Sequence, residues 1–499
     1  MDELKMKYRE ITAYEPAEDL VLTHEESMET AIPEYCPDLA RVVDASGCLR
    51  LREWSVKDGQ LNITGSVYVT VLYTSEESAG LRSLTLSVPL SCRMEDKRDC
   101  QVLSPCGRLL LLEVKPLGAR KLYIRALPEF RVGGFRLVQQ KIAVRAEGGP
   151  DLQVLERTET LPLLRDVWMQ EFPFAQEAAP EGSDGEAEDL LMARCNLHVT
   201  GCQRFGTKLV VKGEADFSLL CRDTDQHLRT RSLTLPFSQI IDRPEIADEG
   251  ELYCQAQALE YEVHPVRTDN GSGYGVTMRI GLLISLYDQV PVSYVADLYS
   301  TRYDMSVQRQ TLSIVTTQMP ETIHRDTVQR LEGAGGFAYL TDVDCTQPEP
   351  VTGEGEGVTL RSTVRMRVLY LDESGTPVIA ERSAEVSGQV SCMPQFIRAE
   401  VEPALWQRIS SGFEIRLPVV FILGQRDVRQ LSSVLTAQQQ EEIDRAAMPS
   451  LILRRLREGE TLWEVACQCR TDEQAILAAN GLTDGEDPGG RLLLIPKVR

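Results

Sequence analysis

The sequence predicts a mainly β protein, with three related antiparallel β modules in tandem and a small C-terminal β-α-α-β domain. Three observations predict it. Apolar and polar residues alternate over strand-length runs, and one such run recurs with a period near 148 residues. The last fifty or so residues instead carry helix-capping signals. A length of 499 residues fits about three domains with a small appendage.

The repeated feature is a strand in which every second residue is apolar or small. It first appears at residues 61–73, and shifts of 148 and then 149 residues reproduce it at 209–221 and 358–370. Period two places the alternate side chains on one face of a β-strand. The aligned positions are Leu61, Ile63, Gly65, Val67, Val69, Val71 and Tyr73; Leu209, Val211, Gly213, Ala215, Phe217, Leu219 and Cys221; and Val358, Leu360, Ser362, Val364, Met366, Val368 and Tyr370.

Features that follow each copy support a shared module. An acidic turn comes next, at 75–77, 223–225 and 372–375, and a Val-x-Pro follows farther on, beginning at Val114, Val263 and Val401. Proline sits at strand ends and edges, so its shared placement indicates a shared turn. The predicted division is listed in chain order: an N-terminal segment 1–34, module 1 at 35–170, an acidic linker 171–190, module 2 at 191–318, module 3 at 319–435, a tether 436–450 and the C-terminal domain 451–499.

Two of these connecting segments are predicted from composition. Residues 175–189 hold six acids and no base among Ala, Gly, Pro and Ser, which is typical of a solvated linker. Residues 436–449 include the run from Gln438 to Glu442, and either a short helix or a tether fits them.

The C-terminal domain begins with a strand at 451–456 and ends with one at 492–495. Between them, Thr461 with Glu464 three residues later forms a capping box that opens a helix. A second box, Thr471 to Gln474, opens another helix, which Asn480 and Gly481 close because both tolerate the left-handed conformation.

This domain resembles the LysM family. The family pattern of Gly-acid-Thr-Leu-Trp, then Asn-Gly-Leu, Pro-Gly and a final Leu-x-Ile-Pro is met at residues 459–463, 480–482, 488–489 and 493–496. One departure is Arg454, where the first strand of the family often carries an aromatic residue. The resemblance covers about a tenth of the chain.

LysM domains typically bind N-acetylglucosamine polymers such as peptidoglycan or chitin, in a shallow groove between two loops. The resemblance assigns one wall of that groove to Gly459, Glu460, Thr461 and Leu462, and the other to Asn480, Gly481, Leu482 and Ile495. The alternative is that Leu462, Trp463, Ile476 and Ile495 simply form the core of a small domain, which needs a bulky anchor.

Repeated β modules followed by one terminal LysM domain resemble clostridial spore-envelope morphogenetic proteins of the SipL type, whose repeats are called SPOCS. That resemblance implies a location in the mother-cell cytoplasm at the forespore surface. It also implies a partner, the coat-basement morphogenetic ATPase, and a LysM domain that serves protein contact. The leading hypothesis is therefore a non-enzymatic scaffold in spore coat assembly. The alternative is a protein that binds peptidoglycan or N-acetylglucosamine oligomers through the groove.

Charge and hydropathy limit the other partners. Lys and Arg number 53 against 75 Asp and Glu, a net charge of −22, so we expect no nucleic-acid partner. The longest apolar runs reach about eight residues, where a membrane-spanning helix needs about 20, so we expect no membrane insertion. The N-terminal residues lack a basic region followed by an apolar run, and 13 cysteines show no framework. Both predict reduced thiols in the cytoplasm.

Signals for catalysis and metal binding are weak. The sequence contains no His-Glu-x-x-His and no Gly-x-x-x-x-Gly-Lys-Ser/Thr loop, so we expect no enzyme, no catalytic residue and no cofactor. Cys195, His198 and Cys202 are zinc-type ligands, but on a β-strand Cys195 and His198 face opposite sides. We therefore expect no metal site.

Overall fold

The computed structural model confirms the mainly β class. It describes residues 4–77, 80–180, 188–244, 246, 249–268, 271–334, 336–352, 357–391, 393–394, 396–444, 448–449, 451–457, 459–483 and 490–496. These residues form 25 strands and two helices, and every strand pair is antiparallel. Among them, no helix combines the length and apolar character needed to cross a membrane.

The elements are listed here in chain order: β1 Lys5–Thr23, β2 Glu26–Ala31, β3 Arg41–Lys57, β4 Gln60–Thr74, β5 Leu81–Glu95, β6 Val102–Gly118, β7 Lys121–Glu147, β8 Leu152–Ala178, β9 Asp189–Phe205, β10 Lys208–Arg222, β11 Leu228–Asp242, β12 Glu251–Thr268, β13 Gly271–Ser300, β14 Tyr303–Thr317, β15 Glu321–Glu332, β16 Ala338–Cys345, β17 Glu349–Thr352, β18 Val358–Leu371, β19 Pro377–Val390, β20 Phe396–Val401, β21 Leu405–Ile409, β22 Gly412–Gly424, β23 Arg426–Glu442, β24 Leu451–Arg455, α1 Leu462–Cys469, α2 Glu473–Asn480 and β25 Leu492–Pro496.

The three aligned runs of the sequence are the strands β4, β10 and β18, and each occupies the middle of its sheet. β4 lies between β3 and β5, β10 lies between β9 and β11, and β18 lies between β16 and β19. The predicted apolar faces are buried, because they pack on a second sheet opposite. That second layer comes from β2, β6 and β7 for the first sheet, from β8, β12 and β13 for the second, and from β15, β20 and β22 for the third.

Strand pairing places the boundaries of these sandwiches differently from the predicted ones. The first strand of each group pairs with its last: Lys5 lies opposite Glu147, Leu152 opposite Ser300, and Tyr303 opposite Glu442. The groups therefore span 5–147, 152–300 and 303–442. The sequence repeat lies in the central strands β4, β10 and β18, and these carry no information on which distant strand closes each group.

Three predicted segments change as a result. The N-terminal segment 1–34 contains β1, a strand that pairs along most of its length with β7. The predicted linker 171–190 is partly strand: β8 continues to Ala178 and β9 begins at Asp189, while 181–187 lie outside the described residues. It therefore falls inside the second group. The helix alternative for 436–449 is wrong over its first part, since β23 continues to Glu442.

The closing strands are long enough to build a further core. In the first two groups, part of β7, β8 and β13 lies in the sandwich, and the rest packs against the closing strands of the other groups. In the third group, β14 and β23 form a two-stranded sheet of their own, which packs in the same shared core. Hydrogen bonds join closing strands of different groups; for example, Tyr8 Oη donates to the Leu435 carbonyl at 2.7 Å, and Gln140 Nε2 donates to the Ser313 carbonyl at 2.8 Å. The shared apolar residues are Ile11, Ala13, Ile142, Leu161, Leu163, Val290, Val292, Tyr294, Ile314 and Leu431.

The C-terminal residues form the predicted order of strand, two helices and strand, with β24 paired to β25. The capping box at α1 is present: Glu464 N donates to Thr461 Oγ1 at 3.2 Å, and Thr461 N donates to Glu464 Oε2 at 3.0 Å. The second predicted box is wrong in detail. Asp472 caps α2, while the buried Thr471 donates its hydroxyl to the Pro496 carbonyl at 2.6 Å.

Candidate functional site

The predicted site lies on the C-terminal unit (β24, α1, α2 and β25), whose two helices pack on one face of the two-stranded sheet. Its core consists of Leu456, Trp463, Val465, Ala466, Ile476, Leu493 and Ile495, together with Tyr299 of β13. Ile495 is only 2% exposed, so it offers no surface to a ligand in this conformation. Its assignment to a groove wall is wrong, and the alternative interpretation of Ile495 as a core residue fits.

The first predicted wall is a loop held in place by an ion pair. Glu460 binds the Arg454 guanidinium, and its second oxygen accepts a hydrogen bond from the backbone N–H of Arg457 at 3.1 Å. Arg454 also donates to Gln468 Oε1 of α1 at 2.7 Å. Arg454, the departure from the LysM pattern, thus ties β24 to the loop and to α1. Glu460 acts within the unit, which leaves Gly459 and Thr461 as the exposed members of this wall and Leu462 half-buried.

The second predicted wall also contains one residue bound within the unit and one that is exposed. The Asn480 side chain donates to the carbonyls of Leu494 and Ile476, both at 2.7 Å, and accepts from Leu494 N at 2.8 Å. These bonds fasten the end of α2 to β25, so the Asn480 side-chain amide is engaged inside the unit. Gly481 is exposed with φ at +62°, the left-handed cap predicted for it, and Leu482 is half-buried.

The structure also shows a contact that the sequence did not indicate. The C-terminal unit is docked on β13 and on the start of β14. Trp463 Nε1 donates to Asp297 Oδ2 at 3.0 Å, and Tyr299 Oη donates to the Thr471 carbonyl at 2.8 Å. Arg470 donates to Asp304 Oδ1 at 2.8 Å. No local pattern marks a residue whose partner lies about 170 positions away, so these residues were not predicted.

Burial at this contact changes the pKa of two side chains, Tyr299 and Cys467. It raises the pKa of the Tyr299 phenol, an effect to which the nearby Cys467, Asp472 and Glu473 add. It also raises the pKa of the Cys467 thiol, helped by the Asp297 carboxylate. In both groups the neutral form is favoured, because desolvation penalises charge. The contact is therefore a buried structural junction between the C-terminal unit and the β strands.

A second missed feature lies where the three small sheets meet. Leu72, Leu220 and Leu369 occupy equivalent positions in β4, β10 and β18, and each is 0% exposed. They point away from the apolar faces of their own sandwiches and share one cluster with Leu81, Leu191, Met192 and Tyr339. These leucines lie between the aligned positions of the repeat, on the opposite face of each strand. The sequence signal for them is an apolar residue that recurs at an intervening position of all three copies.

Next to this cluster lies a cavity of about 1330 Å³, lined by residues from all three groups. Arginines are prominent in its wall, and carboxylates of other strands bind three of them. Arg50 donates to Glu262 at 2.9 Å, Arg108 to Glu129 at 2.8 Å, and Arg367 to Asp44 at 2.9 Å. Burial raises the pKa of Asp44, and the guanidinium of Arg367 opposes that effect. These ion pairs connect strands of the wall, and two of them join different groups.

Of the zinc-type ligands weighed in the sequence, His198 lies beside two carboxylates and Cys195 is a buried thiol. His198 lies within 3.4 Å of the Asp216 carboxylate and 3.6 Å of Glu214. Burial raises the pKa of the Cys195 thiol. Within the described residues, no group of three or more His, Cys, Asp or Glu side chains is arranged to hold a metal ion.

Comparison of the chain with models of protein families, with curated proteins and with solved structures found no match.

Proposed function

We propose that this protein is a non-enzymatic assembly protein of the spore envelope, whose β modules form a scaffold and whose C-terminal unit docks a protein partner. The observation that carries the proposal is the docking of that unit by Trp463, Thr471 and Arg470. These contacts come from α1 and the α1–α2 turn. Gly459, Thr461 and Gly481 remain exposed. A docking unit needs this arrangement: one side attached to its scaffold and another presented to a partner.

The scaffold part of the proposal is that the three groups are copies of one module, of the SPOCS type. Their agreement in pairing supports it, since in each a central strand is flanked on both sides and the first strand pairs with the last. The equivalent leucines Leu72, Leu220 and Leu369 add sequence support. Extensive shared cores join the copies, so they form one body that can hold a partner at a fixed distance.

The docking part is that residues 451–499 are a LysM domain used for protein contact. The capping box at Thr461, the left-handed Gly481 and the β-α-α-β order support the family. Residues 488–489 of the motif lie outside the described residues. The resemblance to SipL-type proteins suggests the mother-cell cytoplasm at the forespore surface, and the coat-basement morphogenetic ATPase as the partner.

One observation favours the alternative of N-acetylglucosamine binding. Gly459 and Gly481 both have positive φ, and a Cβ at either would meet nothing within 4 Å, so the backbone there is open to a ligand. Such exposed amides can hold N-acetyl groups. Against it, Asn480 and Glu460 are engaged inside the unit. Protein contact needs fewer free polar groups and is the better supported function.

The test compares the two ligands on one variant. Leu482→Glu places a charge beside the exposed loops, and we expect it to weaken binding of the purified ATPase by about thirtyfold, as loss of an apolar anchor worth about 2 kcal/mol does. Phe205→Glu, at an exposed position of β9, is the matched control and should bind normally. Titration with chitotetraose decides the alternative. Sugar binding that Leu482→Glu removes while ATPase binding is unchanged would overturn the proposal.

A further inference from the structure

The outer face of the C-terminal sheet is apolar and exposed. Leu451, Leu453 and Leu492 are 52%, 61% and 61% exposed. In the register of β24 and β25, Leu451 lies opposite Pro496, Leu453 opposite Leu494, and Arg455 opposite Leu492. Residues directly opposite each other share a face of an antiparallel pair. These six residues, here called the leucine face, therefore form one side of the sheet.

The other side of the same sheet has an ordinary role. Leu493 and Ile495 are buried in the core of the unit under α1 and α2. In an antiparallel sheet with one covered face, the other face is normally polar. Here it carries four leucines, and contiguous exposed apolar residues are typical of interaction sites. The contacts with the β scaffold come from α1 and its following turn, so they do not cover the leucine face.

Charge separates the two sides of the unit. Arg455 lies within the leucine face, and Arg457 follows shortly after β24; both are exposed. Among the described residues of the unit, the acids Glu464, Asp472 and Glu473 instead lie at the helices. The remaining acid of the described unit, Glu460, is bound to Arg454. The leucine face is therefore apolar with a basic margin, and it complements an apolar surface with an acidic margin.

We propose that the leucine face binds an acidic amphipathic helix of a partner protein, an inference that rests on the proposed docking function and names its surface. Five strand residues span about 16 Å, which matches about three turns of helix at 5.4 Å per turn. Apolar residues spaced three and four apart on that helix meet the leucines. Acidic residues beside them meet Arg455 and Arg457.

The net charge of the chain argues against the two other occupants. At −22, it repels an anionic bilayer or a second copy of itself, because each brings a large negatively charged surface close to many of its acids. A short acidic helix is small enough to contact only the leucine face and its basic margin, and charges farther away than about 8 Å are largely screened. The local arginines then decide its binding.

The experiment uses the full chain and two synthetic, fluorescently labelled helices of about 14 residues. Both carry leucines at helical spacing; one has glutamates at the remaining positions, and the other has lysines. We expect the chain to bind the glutamate helix, with at least about tenfold weaker affinity for Leu453→Ser, a loss of about 1.4 kcal/mol. Leu405→Ser, at a leucine 58% exposed on β21, is the matched control and should bind as the unaltered chain does. Arg455→Glu should reverse the preference towards the lysine helix.

Four results would overturn the inference. They are equal binding of both helices, no effect of Leu453→Ser, capture of the chain by phosphatidylserine vesicles in a Leu453-dependent manner, and a Leu453-dependent dimer in sedimentation.

Binding of the purified ATPase separates this inference from the proposed function. If Leu482→Glu abolishes it and Leu453→Ser does not, the function stands and the leucine face is wrong. If the unaltered chain does not bind the ATPase but binds the glutamate helix as expected, the named partner is wrong and the leucine face stands.

Discussion

The indole N–H of Trp463 donates a hydrogen bond to the Asp297 carboxylate at 3.0 Å, across 166 positions of sequence. The same indole meets the ring of Tyr299 edge-on, with centroids 4.9 Å apart. Asp297 is held in turn by Arg309, at 2.6 Å. This junction joins the C-terminal unit to the β strands, so its strength controls how freely that unit moves.

The first prediction concerns that junction. Asp297→Ala leaves the Trp463 N–H and the Arg309 guanidinium without their shared partner, which typically costs about 1 to 3 kcal/mol. We expect faster hydrogen exchange in α1 and a red-shifted Trp463 emission, since the indole gains water. Asp427→Ala removes an exposed carboxylate of β23 and should change neither. Unaltered exchange in α1 of Asp297→Ala would show that the junction adds little to docking.

The second prediction concerns removal of residues 451–499. The three sandwiches have their own cores, so the truncated chain should stay folded and keep its β circular dichroism. Tyr299 loses its cover, and its phenol should then ionise closer to the usual pKa of about 10. In an absorbance titration, one more tyrosine should ionise near about pH 10 in the truncated chain than in the full chain. Loss of the β signal would contradict the division into units.

The third prediction concerns the leucines where the small sheets meet. Leu220→Ala deletes a fully buried side chain and should lower the free energy of unfolding by about 2 to 5 kcal/mol. Leu72→Ala and Leu369→Ala should act alike, because all three fill one cluster. Leu405→Ala, at an exposed site, should cost far less. Urea unfolding measures these differences. A small loss at Leu220 alone would show that the three copies do not contribute equally.

The fourth prediction concerns pH. Arg98 donates to both oxygens of Asp96, at 2.9 and 2.8 Å, and these bonds lower the pKa of that carboxyl. A carboxyl with a lowered folded-state pKa stabilises the protein above its unfolded pKa of about 3.9, and loses that effect as pH falls through the folded value. Asp96→Asn should therefore destabilise the chain at about pH 7, and the difference from the unaltered chain should shrink below about pH 4. A constant difference across that range would assign the loss to packing.

Local patterns determined much of this protein directly. The alternation at 61–73, 209–221 and 358–370 predicts strands that the structure shows, with their apolar faces buried. Thr461 and Gly481 sit at the predicted helix ends. Such features depend on residues within a few positions of one another, because strand alternation and helix caps are formed by near neighbours in the chain.

Only the tertiary structure decided the rest. Nothing near Lys5 indicates that it pairs opposite Glu147, so the predicted boundaries at 34 and 170 missed the closing strands. The motif assigns Asn480 and Ile495 to a ligand groove. In the structure, the side-chain amide of Asn480 is hydrogen-bonded to β25, and the side chain of Ile495 lies in the core. The Trp463–Asp297 bond depends equally on topology. A residue's local pattern specifies its conformation, whereas its partner is set by which distant surfaces burial brings together.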